Sequence, residues 1–121
     1  MAYDPENVFA RILRDEIPSD RVYEDDEFIA FRDVAPLAPV HILVIPRADG
    51  TRAAPTSPAD LGDHDAPMVG RLVVTATRIA AAQGLDRDGY RLVFNCGDHG
   101  GQSVLHLHLH ILGGRKLGPF A

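Results

Sequence analysis

Apolar residues in this chain recur with two periods, and the change from one to the other marks out its elements. Phe9, Ile12 and Leu13 fall at i, i+3 and i+4 after a capping-type Asn7, which predicts a short helix running to about Arg14 and ended by Ile17-Pro18. The spacing then shifts to alternation. Residues 21–24 and 27–33 read as two strands around an Asp25-Asp26 turn, and 40–45 is a β-branched run closed by Pro46, a buried strand. The segment 34–39 between them carries two prolines and reads as a loop.

Residues 47–67 are irregular and rich in Pro, Ala, Gly and Asp, with room for one helical turn after Ser57-Pro58. Helical spacing returns in Val69, Leu72, Val73, Ala76, Ile79 and Ala80. Asp65 is the expected cap of this long helix, Pro67 sits in its first turn, and Gly84 ends it. Residues 90–95 are expected as a strand, 96–102 as a Gly-rich turn, and 104–112 as the last long strand. The order is helix, three strands, helix, two strands, with short turns in the first and last pairs. That order predicts an α+β fold: a five-stranded antiparallel sheet with a long helix and a short N-terminal helix.

At 121 residues and 45% hydrophobic, the chain matches one globular domain spanning residues 1–121. A net charge of −5 with no basic run speaks against nucleic acid or an anionic membrane as a partner. No apolar run approaches the ~20 residues that span a bilayer. With no basic n-region or apolar h-region near Met1, a cytoplasmic location is expected. Cys96 is the one cysteine, which excludes an intrachain disulfide and a Cys-rich zinc knuckle.

The chemistry is concentrated in His106-Leu-His108-Leu-His110-Ile-Leu. On a strand, alternation puts three imidazoles on one face, roughly 6.6 Å apart, and Leu107, Leu109 and Ile111 on the other. Three polar rings in a row are poor core material, since each buried nitrogen needs a partner. The preceding Gly97-Asp-His-Gly-Gly-Gln-Ser103 can bring backbone N–H groups to an anion, with Gln102 and Ser103 adding side-chain donors. A neutral imidazole can attack phosphorus and later be displaced by water, and a second can stay protonated beside the phosphate and supply positive charge or a proton. This scheme needs no metal and no cofactor. His64 and His99 read as solvent-exposed, Cys96 as a small turn residue, and His41 as either a satisfied core histidine or a helper of the cluster.

The motif His-φ-His-φ-His-φ-φ, with φ apolar, resembles that of the histidine triad family. The continuation Gly113-Gly114-Arg115 is similar to its nucleotide-binding Hint branch. The likeness extends over residues 8–18, 24–26, 30–33, 38–46 and 90–115. It implies a nucleotidyl hydrolase in which His108 is the nucleophile and His110 bonds the α-phosphate and leaving group. His106 and His41 would orient them. Asn95, Gly101, Gln102 and Ser103 would serve the phosphate and leaving group, and Asp33 the ribose hydroxyls. Val8, Phe9, Ile12, Ile17, Phe31 and Val34 would form the slot for the base. Expected substrates are purine nucleotide derivatives of AMP or GMP, chiefly phosphoramidates. The expected assembly is a homodimer whose two sheets join, with the tail 116–121 near the partner's site. Two other classes compete: a zinc-dependent hydrolase using His106, His108 and one further ligand, and a nucleotide-binding regulatory or interaction protein with weak catalysis.

Overall fold

The computed structural model describes residues 2–50 and 52–119. Its sheet has five strands, β1 (Arg21–Glu24), β2 (Phe28–Arg32), β3 (Val40–Pro46), β4 (Arg91–Phe94) and β5 (Leu109–Gly113). Their order is β1-β2-β3-β5-β4 and every pairing is antiparallel. Two helices cover it, α1 (Val8–Leu13) and α2 (Ala66–Ala82). This is the α+β arrangement that the alternating and helical periods imply.

Local chemistry accounts for the main turns. The Asn7 side chain accepts the Ala10 N–H at 2.9 Å and so starts α1. In the β1–β2 hairpin, Asp25 Oδ1 accepts the N–H groups of Glu27 and Phe28, each at 2.7 Å, and the Tyr23 hydroxyl donates to its other oxygen. The carboxylate thus does the work of the turn.

Strand β3 is central and buried on both faces. On one face Phe28, Ala30, Ile42, Val44, Leu109 and Ile111 pack against Leu72, Ala76, Ile79 and Ala80 of α2. On the other face Ile29, Phe31, Leu43 and Ile45 pack against Phe9 and Ile12 of α1. α1 therefore covers the face that also carries His110, which lies opposite Leu43 and Val93 in the ladder.

The structure corrects three expectations. The last strand begins at Leu109, not at residue 104. Upstream of it the backbone is engaged elsewhere: the Leu107 N–H donates to Pro55 O at 2.8 Å, and the His106 carbonyl takes a side chain. Strands β4 and β5 are consequently joined by the whole of 95–108, not by a tight turn. Asp65 does not cap α2 with its side chain. Its carboxylate accepts the Gly62 N–H at 2.9 Å and closes a 3-10 turn, Asp63–Asp65, that leads into the helix; a second such turn spans Pro58–Asp60. Among the described residues, no helix is long and apolar enough to cross a membrane.

Candidate functional site

Although only its second half is laddered, the segment 106–111 keeps its alternation. Leu107, Leu109 and Ile111 enter the α2-side core, while the imidazoles of His106, His108 and His110 neighbour one another and the α1 side. Phe9 of α1 meets His108 edge-on, with ring centroids 4.9 Å apart, and the rings of His108 and His110 lie 5.0 Å apart.

The hydrogen-bond partners fix the tautomer of every ring, because a carbonyl oxygen only accepts and a backbone N–H only donates. His106 Nε2 lies 2.9 Å from Pro46 O, so Nε2 carries the proton. Its Nδ1 then accepts from the Tyr3 hydroxyl at 2.8 Å. His108 Nδ1 lies 2.7 Å from the His106 carbonyl, so Nδ1 carries its proton and Nε2 is left as a bare lone pair. His41 Nδ1 accepts the Leu37 N–H at 3.1 Å, so its proton sits on Nε2 and is donated to His110 Nδ1 at 2.9 Å. His110 must then be protonated on Nε2, which is buried and has no partner among the described residues. The site thus presents one unprotonated nitrogen and one N–H donor from adjacent rings.

Burial supports the neutral forms. Desolvation is the leading cause that pushes His106 and His110 down to about 4, and it also lowers His108 and His41 below the usual 6.5. Neighbouring imidazoles lower His110 further, while the negative charge of Asp33 opposes the shift in His41, His108 and His110.

Asp33 sits at the end of β2. Its N–H donates to His41 O at 2.9 Å, and its Oδ1 accepts the Ala35 N–H at 2.9 Å. Oδ2 lies 3.5 Å from His41 Nε2, and the carboxylate is half-buried. Phe9, Ile12, Ile17 and Phe31 come together in one apolar cluster with Leu43, Ile45 and Val104. Val8 and Val34 lie outside it; Val34 is 99% exposed. Asn95 follows β4 and is half-buried, and Ser103 is exposed.

Gln102 does not present its amide as a free donor. Its Nε2 donates to Thr56 O at 2.7 Å and Val104 O at 3.0 Å, and its Oε1 accepts the Gly97 N–H at 2.9 Å. It ties the Gly-rich turn to the irregular segment before α2. Within that turn Gly101 has φ +78°, and a side chain on Gly100 would come 2.5 Å from the Cys96 carbonyl, so glycine is required at both places. His64 and His99 are exposed, as their sequence context implies, and Cys96 is exposed as well.

Two features were not legible in the sequence. Tyr3 lies in a segment with no periodic pattern, and nothing marked it as a partner of His106, 103 positions away. Leu37 acts through its backbone, which no residue-type pattern reports.

Asp33, His41 and His110 are a set of donors close enough to hold a metal ion, all within 4.8 Å of one another. The protonation pattern argues against it. A metal at His41 Nε2 would displace the proton that the Leu37 N–H forces there, leaving an imidazolate. The proposed zinc pair of His106 and His108 meets a similar obstacle, since both nitrogens of His106 are already engaged.

An open antiparallel sheet bearing a histidine cluster, with one nucleophilic nitrogen beside one N–H donor, defines a protein built for attack on an electrophilic centre. The HIT domain model matches residues 14–117, and the chain belongs to the HIT, or histidine triad, family. It is 48% identical over 114 residues to a purine nucleoside phosphoramidase of Escherichia coli K12, covering 94% of this chain and 92% of that one. It is 51% identical to an uncharacterized HIT-like protein of Synechococcus elongatus, covering 93% of each. Among solved structures, a histidine triad protein from Clostridium difficile superposes with a TM-score of 0.87 at 41% identity, covering 99% of this chain and 100% of that one. A HIT family hydrolase from Legionella pneumophila does so with a TM-score of 0.84 at 41% identity, covering 92% and 95%.

Proposed function

We propose that this protein is a nucleotide-binding hydrolase that cleaves purine nucleoside phosphoramidates, derivatives of AMP or GMP, through a nucleotidyl-histidine intermediate on His108. One observation carries the reading. The His106 carbonyl holds the proton of His108 on Nδ1 and leaves Nε2 as a lone pair in the site. The name of the Escherichia coli relative supports the substrate class.

In the first half-reaction Nε2 of His108 bonds to phosphorus and the P–N bond breaks; the amine departs with a proton from solvent. In the second, water bonds to phosphorus and the P–Nε2 bond breaks. The mononucleotide is released, and the proton returns to solvent. His110 acts as a hydrogen-bond donor, not as an imidazolium. Both nitrogens that could accept a proton in the His41–His110 pair already face an N–H. In this reading its Nε2–H, which has no partner among the described residues, donates to charge that builds on the phosphoryl group.

In this reading Asp33 accepts the ribose hydroxyls, and Phe9, Ile12, Ile17 and Phe31 receive the base together with the exposed Val8 and Val34. Asn95, Gly101 and Ser103 meet the phosphate or leaving group, and Gln102 serves them by bracing the turn. The protein works as a cytoplasmic homodimer without a metal. A panel of an AMP-amine conjugate, an acyl-AMP and diadenosine polyphosphates tests the proposal. Fastest release of AMP from the amine conjugate, unaltered by EDTA, is the expected result. Turnover that requires added zinc, or no turnover of any member, overturns it.

A further inference from the structure

We infer that Tyr3 is a positioning residue for the reaction: its hydroxyl, through the His106 ring, holds in place the carbonyl that sets the tautomer of His108. The inference rests on the proposed role of His108 as nucleophile. It starts from a weakness in the backbone. Residues 104–108 lie outside the ladder of β5, so sheet hydrogen bonds do not place the His106 carbonyl. Yet that carbonyl is the acceptor, 2.7 Å away, that keeps the His108 proton on Nδ1.

Residue 106 is held by its side chain instead. The ring is 0% exposed and is gripped at both nitrogens, by Pro46 O at the end of β3 and by the Tyr3 hydroxyl. The Tyr3 ring also lies against it, with centroids 5.6 Å apart at 59°. Pro46 alone leaves the imidazole free to swing about the Nε2–H···O bond, with Nδ1 buried and unpartnered. Such a buried lone pair is costly, and a ring that turns to relieve it drags its own backbone. The bond with Tyr3 removes that freedom. Phe9, the other aromatic neighbour, offers no hydrogen bond.

The test is Tyr3→Phe, which keeps the packed ring and deletes only the hydroxyl. In protein labelled with 15N-histidine, the wild-type His106 Nδ1 resonance should be that of a hydrogen-bonded acceptor. In the variant it should move to the position of an unbonded one, and His108 should change from a single Nδ1–H tautomer to a mixture. With the AMP-amine conjugate, kcat should fall about tenfold, the scale of one buried hydrogen bond, while KM stays within about twofold because Tyr3 is not part of the base slot. Tyr3→Ala, which also removes the ring, should lower kcat further. An unchanged His108 tautomer in folded Tyr3→Phe, or a rise in KM with kcat constant, overturns the inference. Wild-type protein that shows no turnover at all defeats the functional reading instead, and the NMR comparison still decides whether Tyr3 sets the tautomer.

Discussion

The backbone N–H of Leu37 and the Nδ1 of His41 are joined at 3.1 Å, and this bond determines which proton His110 can offer. It forces the His41 proton to Nε2, which forces a bare Nδ1 on His110, which forces an N–H at the buried Nε2 of His110. A loop amide thus sets the polarity of a ring in the centre of the sheet. Loss of His41 breaks this chain. His41→Ala should lower kcat about 100-fold, the lower end of what one positioned proton-bearing group contributes, with nucleotide affinity within about threefold. Steady-state kinetics beside calorimetric binding of AMP check the split; a matching loss of affinity would mean that His41 binds and does not orient.

The nucleophile leaves a chemical trace. Acid-quenched enzyme mixed with an AMP-amine conjugate should carry one nucleotidyl group on His108, located at Nε2 because Nδ1 is occupied by the His106 carbonyl. Intact mass, peptide mapping and the 15N–31P coupling pattern locate it. His108→Ala should retain its fold and nucleotide binding and lose nearly all turnover. An adduct on any other residue in active enzyme defeats the assignment.

Much of this site was legible in the residues themselves. The alternation from His106 to Ile111 separates the histidine face from the core whether or not each residue is laddered, because an extended chain alternates without a partner. The two-period pattern likewise located all five strands and both helices. What it could not reveal was long-range backbone chemistry. The β5 boundary depends on Leu107 bonding to Pro55, and the role of Gln102 on carbonyls at 56 and 104. Asp65 looks like a helix cap in sequence, yet Gly62 takes its carboxylate first. Residue type reports what a side chain can do, and tertiary placement decides which of several partners it meets.

The neutral histidines make stability depend on pH in a defined direction. His106 and His110 titrate near 4 in the fold against 6.5 when unfolded, so between those values the unfolded chain binds more protons. Stability is therefore complete above about pH 6.5 and falls as pH drops toward 4. For the fully buried His106 the shift corresponds to roughly 3 kcal/mol at its limit, and solvent screening at the less buried His110 makes its share smaller. Urea unfolding should give a level free energy from pH 8 to 7 and a clear decline by pH 5. A flat profile down to pH 5 would show that these rings titrate in the fold as they do in the unfolded chain.

Asp33 is predicted to act on both sugar and histidines. Its carboxylate is the charge that opposes the lowered values of His41, His108 and His110. Asp33→Asn should therefore push His108 further down, moving the acid limb of kcat/KM to lower pH than in the wild type. Asp33→Ala should also weaken binding of AMP more than that of 2′-deoxy-AMP, since a carboxylate accepts two hydroxyl bonds well. Equal weakening of both nucleotides, with an unmoved pH profile, would remove Asp33 from the site.

The last prediction concerns assembly. Strands β1 and β4 are the two edges of the sheet, and an open edge presents unpaired backbone groups. β1 has its hairpin with β2 and the arginine network of Arg21 and Arg47 around Glu24. β4 has a short strand, half-buried throughout, and lies beside the C-terminal tail, where Arg91 Nη2 donates to Gly118 O at 2.7 Å. On α2, Val73 is only partly buried and packs on the same core cluster as Leu92 and Phe94 of β4. A two-fold pairing through β4 and α2 would continue the sheet across two copies and cover both features. Light scattering at micromolar concentration should give the mass of a dimer. The tail 116–121, whose Phe120 and Ala121 lie outside the described residues, would run from β4 toward the second site. Its deletion should change the ranking of amine, acyl and nucleotide leaving groups more than the affinity for AMP. A fully active monomer refutes the pairing, and an unaltered substrate ranking in the truncated protein refutes the role of the tail.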